Sequence, residues 1–251
     1  MLPEIDLGPL TLQTFGICFA LGFLAAGAVI RRRLAELGRP TDWAWEMIFA
    51  ALVGGLVGSR LDYLIQNRDS LDGGILGNLI GGAGLVWFGG LIGGAIAVLI
   101  WARWRGFLSQ ELLGAVAPAL AIGYAIGRVG CQLSGDGDYG EAWSGPWAMP
   151  YPDGVVPTDE PVHPTPVYET LVMGLVALGL WHLRNRVSGG VLFAIYLVCA
   201  GLERFLVEFI RRNETLALGM TQAQWIGLAL VIGGAAWLLY VARQRPPAAP
   251  A

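Results

Sequence analysis

The 251-residue chain is 55% hydrophobic and only 14% charged, with a mean hydropathy of +0.58. Such a composition excludes an ordinary water-soluble domain and fits a polytopic membrane protein. The net charge of −3 gives no basic footprint for nucleic acid, and the three cysteines, Cys18, Cys131 and Cys199, follow no CxxC or Cys/His spacing, so neither a disulfide framework nor a metal site is predicted.

Taken in chain order, seven windows are apolar enough and long enough to cross a hydrocarbon core of about 30 Å. They lie near residues 11–30, 43–65, 80–101, 112–130, 166–183, 188–210 and 220–242. The segment before the first carries Glu4 and Asp6 and no basic run, so the first window is expected to be a retained helix and not a cleaved signal. The fold class is therefore all-α, a single integral-membrane domain over residues 1–251 with about seven transmembrane helices.

All sixteen basic residues are arginine. Arg31, Arg32, Arg33 and Arg39 follow the first window, Arg103 and Arg105 the third, Arg184 and Arg186 the fifth, and Arg243 and Arg245 the last. The positive-inside rule places these ends in the cytoplasm with the carboxyl terminus, and the amino terminus outside. The long loop 131–164 then lies outside, and it is acidic: Asp136, Asp138, Glu141, Asp153, Asp159 and Glu160, with no arginine. Arg211 and Arg212 break the rule by falling on the outer side, where they need a reason. The tail 245–251 reads as a disordered cytoplasmic end.

Glycines number 37. Pairs such as Gly54/Gly58 and Gly90/Gly94 have the small-xxx-small spacing that lets helices approach closely in a membrane. The stretch before Leu85 mixes apolar signal with glycine and reads as re-entrant or irregular.

An ionisable side chain at membrane depth is costly and is a functional-site hypothesis by default. Arg60, Arg128 and Arg204 come from three windows and fall toward the outer half of the bilayer; a convergent arginine set matches the oxygens of a phosphate, here a lipid head group. Arg204 and Glu208 are four residues apart on one helical face. The competing reading is a set of self-compensated ion pairs that hold the bundle in register. Pro164 and Pro166 open the fifth helix, and His163 with Glu169 offers an imidazole and a carboxylate for proton transfer.

Four blocks carry a resemblance: Gly89 to Gly94; Gly127-Arg128-Val129-Gly130 through Tyr139-Gly140; His163-Pro164 through Tyr168-Glu169; and Arg204 through Glu208 with Arg211. In order and spacing they resemble the prolipoprotein diacylglyceryl transferase family across nearly the whole chain. The resemblance implies transfer of a diacylglyceryl group from phosphatidylglycerol to the lipobox cysteine thiol of a preprolipoprotein, in a bacterial inner membrane, with release of glycerol 1-phosphate and no metal or cofactor. It makes Arg128 the family's signature arginine and Arg204 with Glu208 its second essential pair, and it adds Gly127, Gly130, Gly140, Tyr168 and Glu169 as motif positions.

Asp136 and Asp138 stand where the family usually has one glutamate. Phe88 replaces a usual histidine, Phe15 a usual tyrosine and Cys131 a usual asparagine. The base that takes the thiol proton is thus open among Asp138, Asp136, His163 and Glu208. Two alternatives remain at this level: a transferase of the same fold with another acceptor, and a phospholipid-binding membrane protein without catalysis. The acidic segment 135–139 speaks against the latter, because added negative charge would not help bind an anionic head group.

Overall fold

The computed structural model describes residues 1–66 and 87–243. Among them are seven α-helices: α1 Thr14–Glu36, α2 Trp43–Gln66, α3 Trp87–Trp104, α4 Gln110–Ser134, α5 Thr165–Leu183, α6 Gly189–Val207 and α7 Gln222–Arg243. Six are long and apolar enough to cross a membrane; α3 is a shorter apolar helix over Gly89–Trp104. The protein is a multi-pass, all-helical membrane protein with little sheet. The irregular stretch expected before Leu85 and the tail 245–251 fall outside the described residues.

Two departures from the expected windows have local causes. Residues 11–13 belong to strand β2 (Leu10–Gln13), which pairs antiparallel with β1 (Glu4–Leu7) around a turn in which Gly8 takes a φ of +70°. At its other end α1 runs on through Arg31–Arg33, with an Arg33–Glu36 pair at 3.0 Å one turn apart supporting the charged extension.

The chain divides into two compact units, Met1–Val29 with Leu113–Ala251, and Ile30–Leu112. In the first, α4 presents Ala117, Ala121 and Ala125 at intervals of four, and against this small-residue stripe pack Met173, Ala177 and Leu180 of α5 and Leu192 of α6. The α6–α7 crossing is equally close: a Cβ on Gly201 would lie 2.6 Å from the Gly227 carbonyl oxygen. Small residues suit these crossings because lipid tails give helices no hydrophobic reason to associate, leaving close van der Waals contact to hold them.

The acidic loop is folded onto the end of α4. Strands β3 (Met149–Tyr151) and β4 (Thr158–Val162) pair antiparallel, Tyr139 stacks on the buried Tyr151 at 4.7 Å, and the Tyr151 hydroxyl donates to Gln132 on α4 at 2.9 Å. Burial pushes the Tyr151 phenol up to about 12, so it is a fixed donor.

In the second unit, α2 and α3 cross through glycine. The contact expected of Gly90/Gly94 runs chiefly through Gly89 and Gly93, which face Gly58 and Gly54. At the arginine-rich end Glu46 accepts hydrogen bonds from Trp101 and from Arg105 at 2.9 Å each, and Arg39 pairs with Glu111 at 2.8 Å.

Gly93→Ala would drive its methyl into the Gly54 carbonyl oxygen and to 2.8 Å from the Gly58 Cα, whereas a methyl on Gly174 meets nothing within 4 Å. Thermal unfolding in detergent should show Gly93→Ala destabilised by about 1–3 kcal/mol, with Gly174→Ala neutral or stabilised by up to about 1 kcal/mol. Equal effects would exclude backbone contact as the basis of the crossing.

Candidate active site

The site is assembled at one end of the first unit from α4, α5, α6, the acidic loop and the turn after α6. On α4, Tyr124, Arg128 and Cys131 follow at i, i+4 and i+7 and so share a face. On α5, Pro164 caps the helix and proline occupies its first turn, which sets Thr165 and Glu169 one above the other. Helix α6 ends at Val207 and tightens into a 3₁₀ turn over Glu208–Ile210, so Arg204, Glu208 and Arg211 fall together.

Glu169 is the hub. Its carboxylate lies 3.0 Å from Arg128 Nε, 3.3 Å from Arg204 Nη1 and 3.8 Å from Arg211 Nη1, and it accepts from the Tyr124 hydroxyl at 3.1 Å. Its side chain is 0% exposed. Arg204 and Glu208, expected on one helical face, pair at 2.9 Å. Glu208 also lies 3.7 Å from Arg211 Nε and accepts from Asn213 at 2.6 Å and Thr221 at 2.8 Å.

Asp138 completes the cluster from the loop, bridging two guanidiniums: one carboxylate oxygen pairs with Arg128 and the other with Arg211. Gly135 and Gly137, at φ of +61° and +93°, supply the left-handed turns that bring it there. Gly140 permits the closest approach, since a Cβ there would strike the Ile210 carbonyl oxygen and come within 2.9 Å of the His163 Cβ. Burial alone would raise the Asp138 carboxyl, but the Arg128 and Arg211 guanidiniums outweigh it and hold it down at about 2. Arg211 is displaced upward, because Asp138 and Glu169 favour its charged form by more than burial opposes it.

Formal charge balances in this network, with Arg128, Arg204 and Arg211 against Asp138, Glu169 and Glu208. The arginines of this network within the first unit are Arg128, Arg204 and Arg211; Arg60 lies on α2, in the second unit. In the sequence Arg211 stands out as an exception to the charge rule and as the end of the fourth block. Its neighbour Arg212, the other exception, sits 3.6 Å from Glu160 and over the Tyr139 ring.

The remaining candidates fall outside the arginine contacts. Asp136 accepts from the Asp138 backbone N–H at 3.2 Å, turning the loop locally. The His163 ring stacks on Trp143 at 4.3 Å and its Nδ1 lies 3.3 Å from the Tyr168 hydroxyl, which also receives the Trp147 indole N–H at 2.7 Å. Gly130 lets α4 approach α1, where a Cβ would lie 2.9 Å from Cys18 Cβ; a Cβ on Gly127 would meet nothing within 4 Å, and the structure gives no packing reason for it. Ligand atoms of Cys131, Asp136 and Asp138 lie within 4.8 Å of one another. Two guanidiniums already occupy Asp138, so this trio is poorly suited to a cation.

Sequence reasoning had not picked out Tyr124, Thr165, Asn213 or Thr221. Only Tyr124 left a signal, a phenol one helical turn before Arg128; its hydroxyl accepts from Arg128 at 3.1 Å.

Over residues 4–240 the sequence matches the family described as prolipoprotein diacylglyceryl transferase. The chain belongs to that family. Among similar proteins are those of Bordetella parapertussis (30% identical over 98% of each chain) and Clostridium tetani (30%, over 91% of this chain and 93% of the relative). A third, from Dehalococcoides mccartyi, is 31% identical over 97% of this chain and 94% of its own. All three are named phosphatidylglycerol–prolipoprotein diacylglyceryl transferase.

Of the three positions at which the resemblance implied another residue, the structure describes two side chains. Phe15, in place of a tyrosine, packs against Gly130 at the α1–α4 crossing. Cys131, in place of an asparagine, is buried with its sulfur 3.8 Å from Arg128 Nη1. The side chain of Phe88 lies outside the described residues.

Glu169→Gln should cost about 3–5 kcal/mol of stability, because it strips the arginines of their shared buried counter-charge; a wild-type unfolding temperature in detergent would refute the hub. Asp138 has a depressed pKa, so its contribution to stability is complete above about pH 4 and disappears as pH falls toward about 2. Asp138→Asn should flatten the unfolding-temperature profile across that window, and an unchanged profile would remove Asp138 as its source.

Proposed function

We propose that this protein transfers the diacylglyceryl group of phosphatidylglycerol to the lipobox cysteine thiol of preprolipoproteins, the first step of lipoprotein biosynthesis. The observation that carries the proposal is the set of three half-buried guanidiniums around the buried Glu169 at the ends of α4 and α6, in a chain that spans nearly the full length of transferases of that name. The setting is the bacterial cytoplasmic membrane, with the amino terminus and the acidic loop outside. That topology brings the site to the face where a signal peptide emerges.

In the reaction the thiol proton passes to a carboxylate, and sulfur attacks the glyceryl carbon esterified to phosphate. The C–O bond breaks, its electron pair stays on the phosphate oxygen, and glycerol 1-phosphate leaves. A free thiol is only a few per cent ionised at neutral pH, so the positive field of the arginines favours its thiolate as well as the leaving oxygen. Arg128, Arg204 and Arg211 serve as the clamp.

The four candidate bases differ in how free they are. Glu208 is occupied by Arg204, Asn213 and Thr221, and the contacts of His163 are aromatic. Asp138 has each oxygen on a guanidinium, which leaves the part-exposed Asp136 as the freer proton acceptor. A non-catalytic lipid binder has less support, because three carboxylates among the arginines oppose simple anion capture.

Purified protein given radiolabelled phosphatidylglycerol and a lipobox peptide should yield labelled peptide. Arg128→Ala should slow this by about 10²–10³-fold, the usual cost of removing a group that stabilises developing negative charge. Absence of product from wild-type protein that still binds the lipid would point to another acceptor.

A further inference from the structure

A clamp whose arginines are already bridged by carboxylates grips a phosphate better when one of those carboxylates leaves. Three carboxylates share the guanidiniums, and they are not equivalent. Glu169 and Glu208 have side chains that are 0% exposed, whereas that of Asp138 is 32% exposed. Asp138 alone presents one oxygen to Arg128 and the other to Arg211, the two-point arrangement in which a phosphate's paired oxygens bind guanidinium donors.

Its backbone is pinned on both sides. The Thr165 hydroxyl donates to the Asp138 carbonyl at 2.5 Å, and the Asp138 N–H donates to Asp136 at 3.2 Å. The carboxylate can therefore leave by side-chain rotation while the loop stays in place.

We propose that Asp138 is an internal competitor for the phosphate seat: its carboxylate holds Arg128 and Arg211, yields them to the lipid phosphodiester, and on its return expels the phosphomonoester product. The proposal rests on the phosphatidylglycerol reading above. Charge makes the exchange workable. A phosphodiester carries one negative charge, so replacing Asp138 leaves the cluster neutral. The released phosphomonoester carries about −1.5 to −2 at pH 7 and would be held more tightly than the substrate by the same arginines. A tethered carboxylate, at an effective concentration on the order of millimolar, supplies the opposing anion. Asp138 thereby weakens binding of both phosphates and quickens release of the second.

The test measures binding of glycerol phosphate to full-length protein in detergent. Asp138→Asn should bind it at least about tenfold tighter than wild type, since a competing charge-assisted contact is lost. Asp138→Glu, which keeps the anion, should stay within about threefold of wild type, and Glu141→Gln, which removes an exposed charge three residues away, should not tighten binding. Unchanged or weaker binding by Asp138→Asn, or equal tightening by Glu141→Gln, overturns the proposal.

A second readout uses wild type alone, should the variant not fold. Carboxyl-directed labelling read by mass spectrometry should increase at Asp138 when glycerol phosphate is added; protection or no change overturns the proposal. The transferase assay separates the two readings. Wild-type transfer without tightening in Asp138→Asn refutes the competitor and leaves the function standing. Tightening and increased labelling without wild-type transfer refute the function and leave an anion site gated by Asp138.

Discussion

The Glu169 carboxylate has no exposed surface and lies against guanidiniums contributed by α4, α6 and the turn after α6. Removing charges from water costs several kcal/mol per ion, and only close, well-directed counter-charges repay it. The helices that carry these groups are thereby bound to one arrangement at this end of the unit. A small shift of α5 would leave three arginines without their shared partner. The alanine stripe on α4 serves the same end, because it lets α5 and α6 come near enough for side chains from all three helices to meet. Packing and electrostatics are two aspects of one constraint here.

The acidic loop acts as part of the bundle. Its tyrosine stack, short hairpin and glycine turns fix the backbone around Asp138, so that a loop residue meets helix residues with the definition of a helix residue. Gly140 joins the loop to both neighbours: its N–H donates to the His163 carbonyl at 2.8 Å, and the adjacent Glu141 N–H donates to that of Ile210 at 2.8 Å. The result is a site with one rigid, buried wall, formed by Glu169 and Glu208, and one accessible anionic member.

The site combines two kinds of group. Three fork-shaped donors converge in it, from Arg128, Arg204 and Arg211, an arrangement that no single neighbour can replace. A proton acceptor needs only one carboxylate of suitable access, and the loop carries the part-exposed Asp136 beside the bridged Asp138.

Legible in the sequence were the membrane class, five of the six long spans to within a few residues, the small-residue crossings and the candidates Arg128, Arg204, Glu208, Asp138 and Glu169. These are properties of composition and of periodicity along one helix, and hydropathy, i to i+4 spacing and local motif carry them directly. The folded arrangement adds that Glu169 is the hub, that Arg211 joins Arg128 and Arg204 around it, that His163 stacks among aromatics and that Asp138 bridges two guanidiniums. Those facts depend on which faces of α4, α5 and α6 turn toward one another and on where a glycine-rich loop folds back. Such distances, set by packing between residues up to 73 positions apart, leave no trace in local spacing.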